Sequence, residues 1–89
     1  MLRITRVENG PTGLMLKVEG KIMSEWVRVL HDECQKGSAR STNVVLDLSG
    51  VSYADREGVE MLRAVLGPHV RIAAAPLFLT ALLHQGEKS

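Results

Sequence analysis

Residues 44–61 read VVLDLSGVSYADREGVEM, and this stretch decides the fold. Val44, Val45, Leu46 and Leu48 form a short β-rich apolar segment interrupted only by Asp47, which is the pattern of a buried strand. Ser49-Gly50 reads as the break that ends it. Val51 and Tyr53 then alternate with small residues, and Asp55 stands where a helix begins. An Asp at an N-cap accepts a hydrogen bond from a first-turn N–H that no residue inside the helix can satisfy. Gly58 falls within that first turn, where glycine costs about 1 kcal/mol relative to alanine. A residue kept at that cost predicts a close approach to the backbone at Gly58.

On the N-terminal side, Leu2 to Glu8 alternates apolar and polar residues with one irregularity, as a half-buried strand does. Asn9 to Gly13 is a turn cluster, and Leu14 to Glu19 alternates again with Leu14, Leu16 and Val18 on one face. The two segments predict a hairpin. Gly20 to Met23 leads out of it towards Ser24, a good N-cap residue followed by Glu25 in the first turn. Met23, Trp26, Val27, Leu30 and Cys34 then make one stripe of an amphipathic helix. Gly37 is placed to close that helix at C′, and Ser38 to Thr42 forms a polar connection.

On the C-terminal side, a second helix is expected from Arg56 to Leu66, burying Val59, Leu62, Val65 and Leu66 and ending at Gly67-Pro68. Val70, Ile72 and the alanines to Ala75 predict a further strand. Pro76 opens a third helix from Leu77 to Gln85, ended by Gly86. The order is β-β-α-β-α-β-α. A hairpin followed by βα units implies an α/β fold with a mixed sheet covered by helices, because parallel strands need crossover connections.

Composition narrows the class. At 89 residues the chain reads as one domain, residues 1–89, able to bury only about 60–65% of its unfolded surface. Hydrophobic residues make up 45% and aromatic ones 3%, which indicates an aliphatic core. Eleven basic and ten acidic residues are spread without a run of either sign, which argues against nucleic acid as a partner. The single cysteine, Cys34, excludes an internal disulfide and suits a reducing compartment. The N-terminus lacks a signal-like apolar stretch, and Ile72 to Leu83 is too short to span a bilayer and contains Pro76. These features point to a soluble, cytoplasmic protein without membrane insertion.

The pattern D-L-S-G-V-S-Y-A-D-x-x-G-V resembles the signature of STAS domains, the fold of anti-sigma factor antagonists and of sulfate-transporter tails. The resemblance runs from the second strand to the third helix. It implies a STAS-like mixed sheet whose usual final strand and helix are absent here. The sheet edge left open in that way would allow a homo-oligomer or a covering partner. In the antagonists the motif typically reads D-S-S-G, and a partner kinase phosphorylates the second serine. By position, Asp55 matches the motif's Asp and Gly58 its Gly, while Arg56 replaces the first serine and Glu57 the phosphorylated one. Glu57 carries one permanent charge where phosphoserine would bring about −1.5 to −2. The resemblance therefore implies a non-enzymatic, phosphomimetic regulator of the anti-sigma antagonist kind. Its partner-binding residues would be Ser52, Asp55, Arg56, Glu57 and Gly58, and its partner a kinase-like anti-sigma factor. The alternative is an accessory subunit of a bacterial ABC lipid-transport ATPase, which needs no phosphorylatable serine.

The remaining reactive residues have structural readings. Asp55 serves as an N-cap and Glu57 as a first-turn acid, both compatible with recognition. Ser49 and Ser52 are turn residues and alternative phosphoacceptors. Asp47 is outward-facing or bonded to a loop. His31 and Cys34 stand at i and i+3, but no second pair completes a zinc site, and Cys34 lies on the apolar stripe. His69 and His84 adjoin no obvious nucleophile. No P-loop, nucleophile elbow or dinucleotide fingerprint is present, so neither catalysis nor a cofactor is expected.

Overall fold

Seven elements follow in the expected order: β1 (Leu2–Glu8), β2 (Gly13–Ile22), α1 (Glu25–Ala39), β3 (Asn43–Ala54), α2 (Arg56–Val65), β4 (Val70–Ala74) and α3 (Leu77–Gln85). The computed structural model describes residues 2–8, 10, 13–39 and 43–85. Asn9, Pro11 and Thr12 of the expected hairpin turn lie outside these residues, as do Arg40 to Thr42 of the polar connection and Gly86.

The four strands form one sheet in the order β1-β2-β3-β4. β1 and β2 pair antiparallel from Leu2 opposite Gly20 to Glu8 opposite Leu14, as a hairpin. β2–β3 and β3–β4 pair in parallel, joined through α1 and α2. Consecutive crossovers of one hand place α1 and α2 on the same side of the sheet. The core unites Leu14, Leu16, Val18 and Ile22 of β2 with Val44, Leu46 and Leu48 of β3. Leu30 and Cys34 of α1, Val59 and Leu62 of α2, and Leu79 of α3 close over them. Burying a side chain of this size contributes about 1.5–3 kcal/mol. The opposite face carries Arg3, Thr5, Lys17 and Arg71, all exposed, so among the described residues the helices cover one face of the sheet.

The central stretch differs from expectation in an instructive way. Ser49-Gly50 does not end the strand: β3 runs unbroken for 12 residues. Its register against β2 slips twice, between Lys17 and Glu19 and between Gly20 and Lys21. Each slip sets an extra β3 residue against β2, which is a β-bulge. The inward positions accordingly change spacing, from Val44, Leu46 and Leu48 at steps of two to Val51 and Ala54 at steps of three. Tyr53, expected on the same face as Val51 in alternation with small residues, points outward and is 46% exposed, whereas Val51 is buried. Asp47 Oδ1 accepts the Ser49 hydroxyl at 2.7 Å and the Ser49 N–H at 3.1 Å, fastening the chain at the first bulge.

Other boundaries move for local reasons. β2 extends three residues past Glu19 to Ile22, with Gly20 at φ +106° beside the second bulge. Ser24 precedes α1 at φ +56°, away from the extended backbone that a capping side chain uses. Gly37 does not close α1, which continues to Ala39, a glycine inside a helix costing only about 1 kcal/mol. Leu66 is the extended C-cap of α2, donating its N–H to the Leu62 carbonyl. Ala75 falls just beyond β4. Pro76 offers its carbonyl to the Leu79 and Thr80 N–H groups at the start of α3.

Candidate partner-binding site

The end of β2, the end of β3 and the first turn of α2 meet at Asp55. Its N–H donates to the Ile22 carbonyl at 3.0 Å, which fixes the chain as it leaves β3. Its carboxylate Oδ1 accepts the Gly58 N–H at 2.7 Å, and its carbonyl accepts the Val59 N–H at 3.0 Å. With φ −82° and ψ 178°, Asp55 has the extended backbone of an N-cap, as expected. Its second oxygen faces the Ser24 N–H at 3.4 Å, so one carboxylate ties the approaches to both α1 and α2.

The close approach expected at Gly58 comes from within the chain. A Cβ there would lie 2.8 Å from the Ile22 carbonyl oxygen and 2.9 Å from its Cγ2. Gly58 is buried and shapes the site from beneath. What the first turn presents to solvent is Arg56 and Glu57, both exposed. Arg56 donates from Nε to Glu60 Oε2 at 3.3 Å, one turn along. That pairing offsets an arginine's unfavourable position near the positive end of the helix dipole, where Glu57 is favoured. Ser52, also exposed, donates its hydroxyl to the Gly20 carbonyl at 3.4 Å. The structure thus brings Ser52, Asp55, Arg56 and Glu57 to one end of the sheet, with Asp55 and Gly58 holding the turn on which the two charged residues stand.

The other reactive residues separate. Cys34 is buried in the core, and burial, with Glu33 adding to it, pushes its thiol up to about 11. His31 has other neighbours, its Nε2 3.3 Å from the Gln35 amide nitrogen and its Nδ1 3.8 Å from Asp32. Among the described residues no cluster of three or more His, Cys, Asp or Glu could hold a metal ion. Asp47 titrates below its ordinary value, chiefly because the Ser49 hydroxyl and N–H bind its charged form. Among the described residues no helix is long and apolar enough to cross a membrane.

Two features escaped the sequence reading. Arg63 donates from Nη2 to the Leu82 carbonyl at 2.7 Å and from Nε to the Leu83 carbonyl at 3.0 Å, satisfying the open end of α3. Glu25, Arg28 and His31 of α1 face Glu57 and Glu60 of α2 across a groove. Contacts between such distant stretches of chain leave no periodic signal in sequence.

The family model described as "Mlab, STAS domain" matches residues 5–87. The chain belongs to the STAS-domain family. Among curated proteins no relative matches. Solved structures share the STAS fold at low identity. The anti-sigma factor antagonist from Mycobacterium paratuberculosis aligns with a TM-score of 0.71 at 20% identity, over 96% of this chain and 79% of that one. The anti-sigma factor antagonist SpoIIAA in its unphosphorylated form aligns at 0.64 and 11% identity, over 92% of this chain and 83% of that one. The crystal structure of Mglu aligns at 0.66 and 18% identity, over 79% of this chain. This STAS domain spans only 19% of the Mglu chain.

Proposed function

We propose that this STAS domain is a non-enzymatic regulatory module, acting in the cytoplasm, that binds a protein partner through the start of α2. The observation that carries this reading is the division of labour in that turn. Asp55 and Gly58 lock the backbone, while Arg56 and Glu57 stand free of the core on a rigid helix start. A preformed turn loses little conformational entropy on docking, and its charges select the partner. The partner is a kinase-like anti-sigma factor, in keeping with the likeness of fold to two anti-sigma factor antagonists. Glu57 supplies a permanent charge at the phosphoserine position, so affinity is set by sequence and not by phosphorylation. A charge left unmatched in a desolvated interface costs several kcal/mol, enough to dissociate a modest complex.

The exposed, non-phosphorylatable Glu57 also favours a second reading, an accessory subunit on the ATPase of an ABC lipid transporter. Such a subunit would use the same helix start without a phosphate switch.

Affinity capture from the source organism tests both. The wild-type chain is used as bait beside the exposed charge variants Arg56→Glu and Glu57→Lys, and retained proteins are identified by mass spectrometry. A kinase-like protein retained by wild type and lost with either variant supports the first reading. A transport ATPase lost in the same way supports the second. Retention unchanged by both variants removes the start of α2 as the binding surface.

A further inference from the structure

The open groove between α1 and α2 encloses about 540 Å³ and adjoins the start of α2 through Glu57. Its lining includes Val27 and Met61, half-buried and buried respectively, as an apolar floor. Glu25 and Arg28 stand on the α1 side, and Glu57 and Glu60 on the α2 side. Glu60 is paired with Arg56 at 3.3 Å. Glu25 and Glu57 are therefore the rim carboxylates that no ion pair among the described residues engages, two against Arg28, with His31 also on the α1 side, in a chain whose net charge is +1. All four charged side chains belong to exposed residues. Glu25 and Arg28 occupy successive turns of α1, as Glu57 and Glu60 do of α2. A trough walled by two helices and floored by aliphatic and thioether side chains accepts the i, i+3, i+4 anchors of a further helix. Methionine makes such a floor adaptable in shape.

We propose that this groove receives a basic amphipathic helix of the protein partner. One of its apolar side chains seats over Val27 and Met61, and its Lys or Arg side chains meet Glu25 and Glu57 on opposite rims. This inference rests on the reading of the α2 start as the partner surface and names the chemistry that the partner brings to it. It extends that surface onto the first two turns of α1, which the STAS motif does not reach. Rim charges of this kind chiefly set the rate of association and the choice of partner.

The test uses the full chain, labelled with ¹⁵N, and two synthetic helical peptides of about 14 residues that share their leucine positions. One carries lysine on the flanks of the leucine stripe and the other carries glutamate. The lysine peptide is expected to shift the amide resonances of Val27, Arg28, Glu60 and Met61. It should bind at least about tenfold more tightly than the glutamate peptide at roughly 50 mM NaCl, and lose much of that preference at roughly 300 mM. Glu25→Lys and Glu57→Lys, both changes on exposed residues, should each weaken the lysine peptide several-fold without loss of fold. Equal binding of the two peptides, or resonance shifts centred away from the groove, would overturn the proposal. The capture experiment separates this inference from its foundation. Loss of the partner with both Glu25→Lys and Glu57→Lys supports the groove. Loss with Glu57→Lys or Arg56→Glu but not with Glu25→Lys overturns the groove and leaves the α2 surface standing, and loss with none of the three overturns both.

Discussion

Asp55 accepts the Gly58 N–H at 2.7 Å, and Gly58 is the residue that lets it do so. The glycine Cα sits so near the end of β2 that any Cβ would meet the Ile22 carbonyl oxygen at 2.8 Å. The cap and the packing are therefore one device: the carboxylate closes the first turn, and the missing side chain lets that turn rest against the sheet.

Removing the carboxylate should release both helix approaches. Asp55→Ala is expected to lower stability by about 1–2 kcal/mol, since an N-cap is lost and the Ser24 N–H loses its acceptor as well. Asp55→Asn keeps a side-chain oxygen for Gly58 and should recover most of the difference. Urea unfolding of the three proteins with equal m-values measures it.

Gly58→Ala sets two effects against each other. Helix propensity gains about 1 kcal/mol from alanine, whereas overpacking against a well-ordered neighbour costs about 1–3 kcal/mol. The nearest obstacle is main chain and not the tip of a flexible side chain, so the clash should win. A fall in thermal midpoint is expected, and a rise would show that the junction of β2 and α2 yields.

Glu57→Ser should leave the fold almost untouched. The side chain is exposed, and its favourable place at the helix start contributes about 0.3–1 kcal/mol. Its effect should appear in partner retention, with a stability change by urea unfolding of less than about 1 kcal/mol.

Cys34 predicts an alkaline limit. Burial raises the folded-state thiol from 9.0 to about 11, while the unfolded chain ionises near the lower value. The unfolded state therefore loses its proton first as pH rises. The contribution of the neutral thiol is fully present below pH 9.0 and is lost progressively up to about 11. The stability difference between wild type and Cys34→Ala should shrink across that interval, measured by urea unfolding at successive pH values.

Asp47 acts at the acid end with the opposite sign. Its folded-state value lies below 3.8 because Ser49 binds the carboxylate. Its contribution is present above that value and fades as pH falls through the lower folded one. Asp47→Ala should therefore be less stable than wild type at neutral pH, with the two converging in strong acid.

The order of elements, the inward faces of β2 and the first half of β3, and the cap at Asp55 were legible in the sequence because each rests on local chemistry. Alternation of Val44, Leu46 and Leu48 requires only a pleated strand with one buried face, and Asp55 caps α2 by accepting an N–H only three residues along. The continuation of β3 through Ser49-Gly50 was not legible, since a bulge exists only in relation to the partner strand that it slips against. The tertiary structure alone decided that Gly58 answers to Ile22, that Ser24 adopts φ +56° beside Asp55, and that α1 and α2 face each other with glutamates on both rims. Those relationships join residues some thirty positions apart, and only the folding of the sheet and its crossovers brings them within reach.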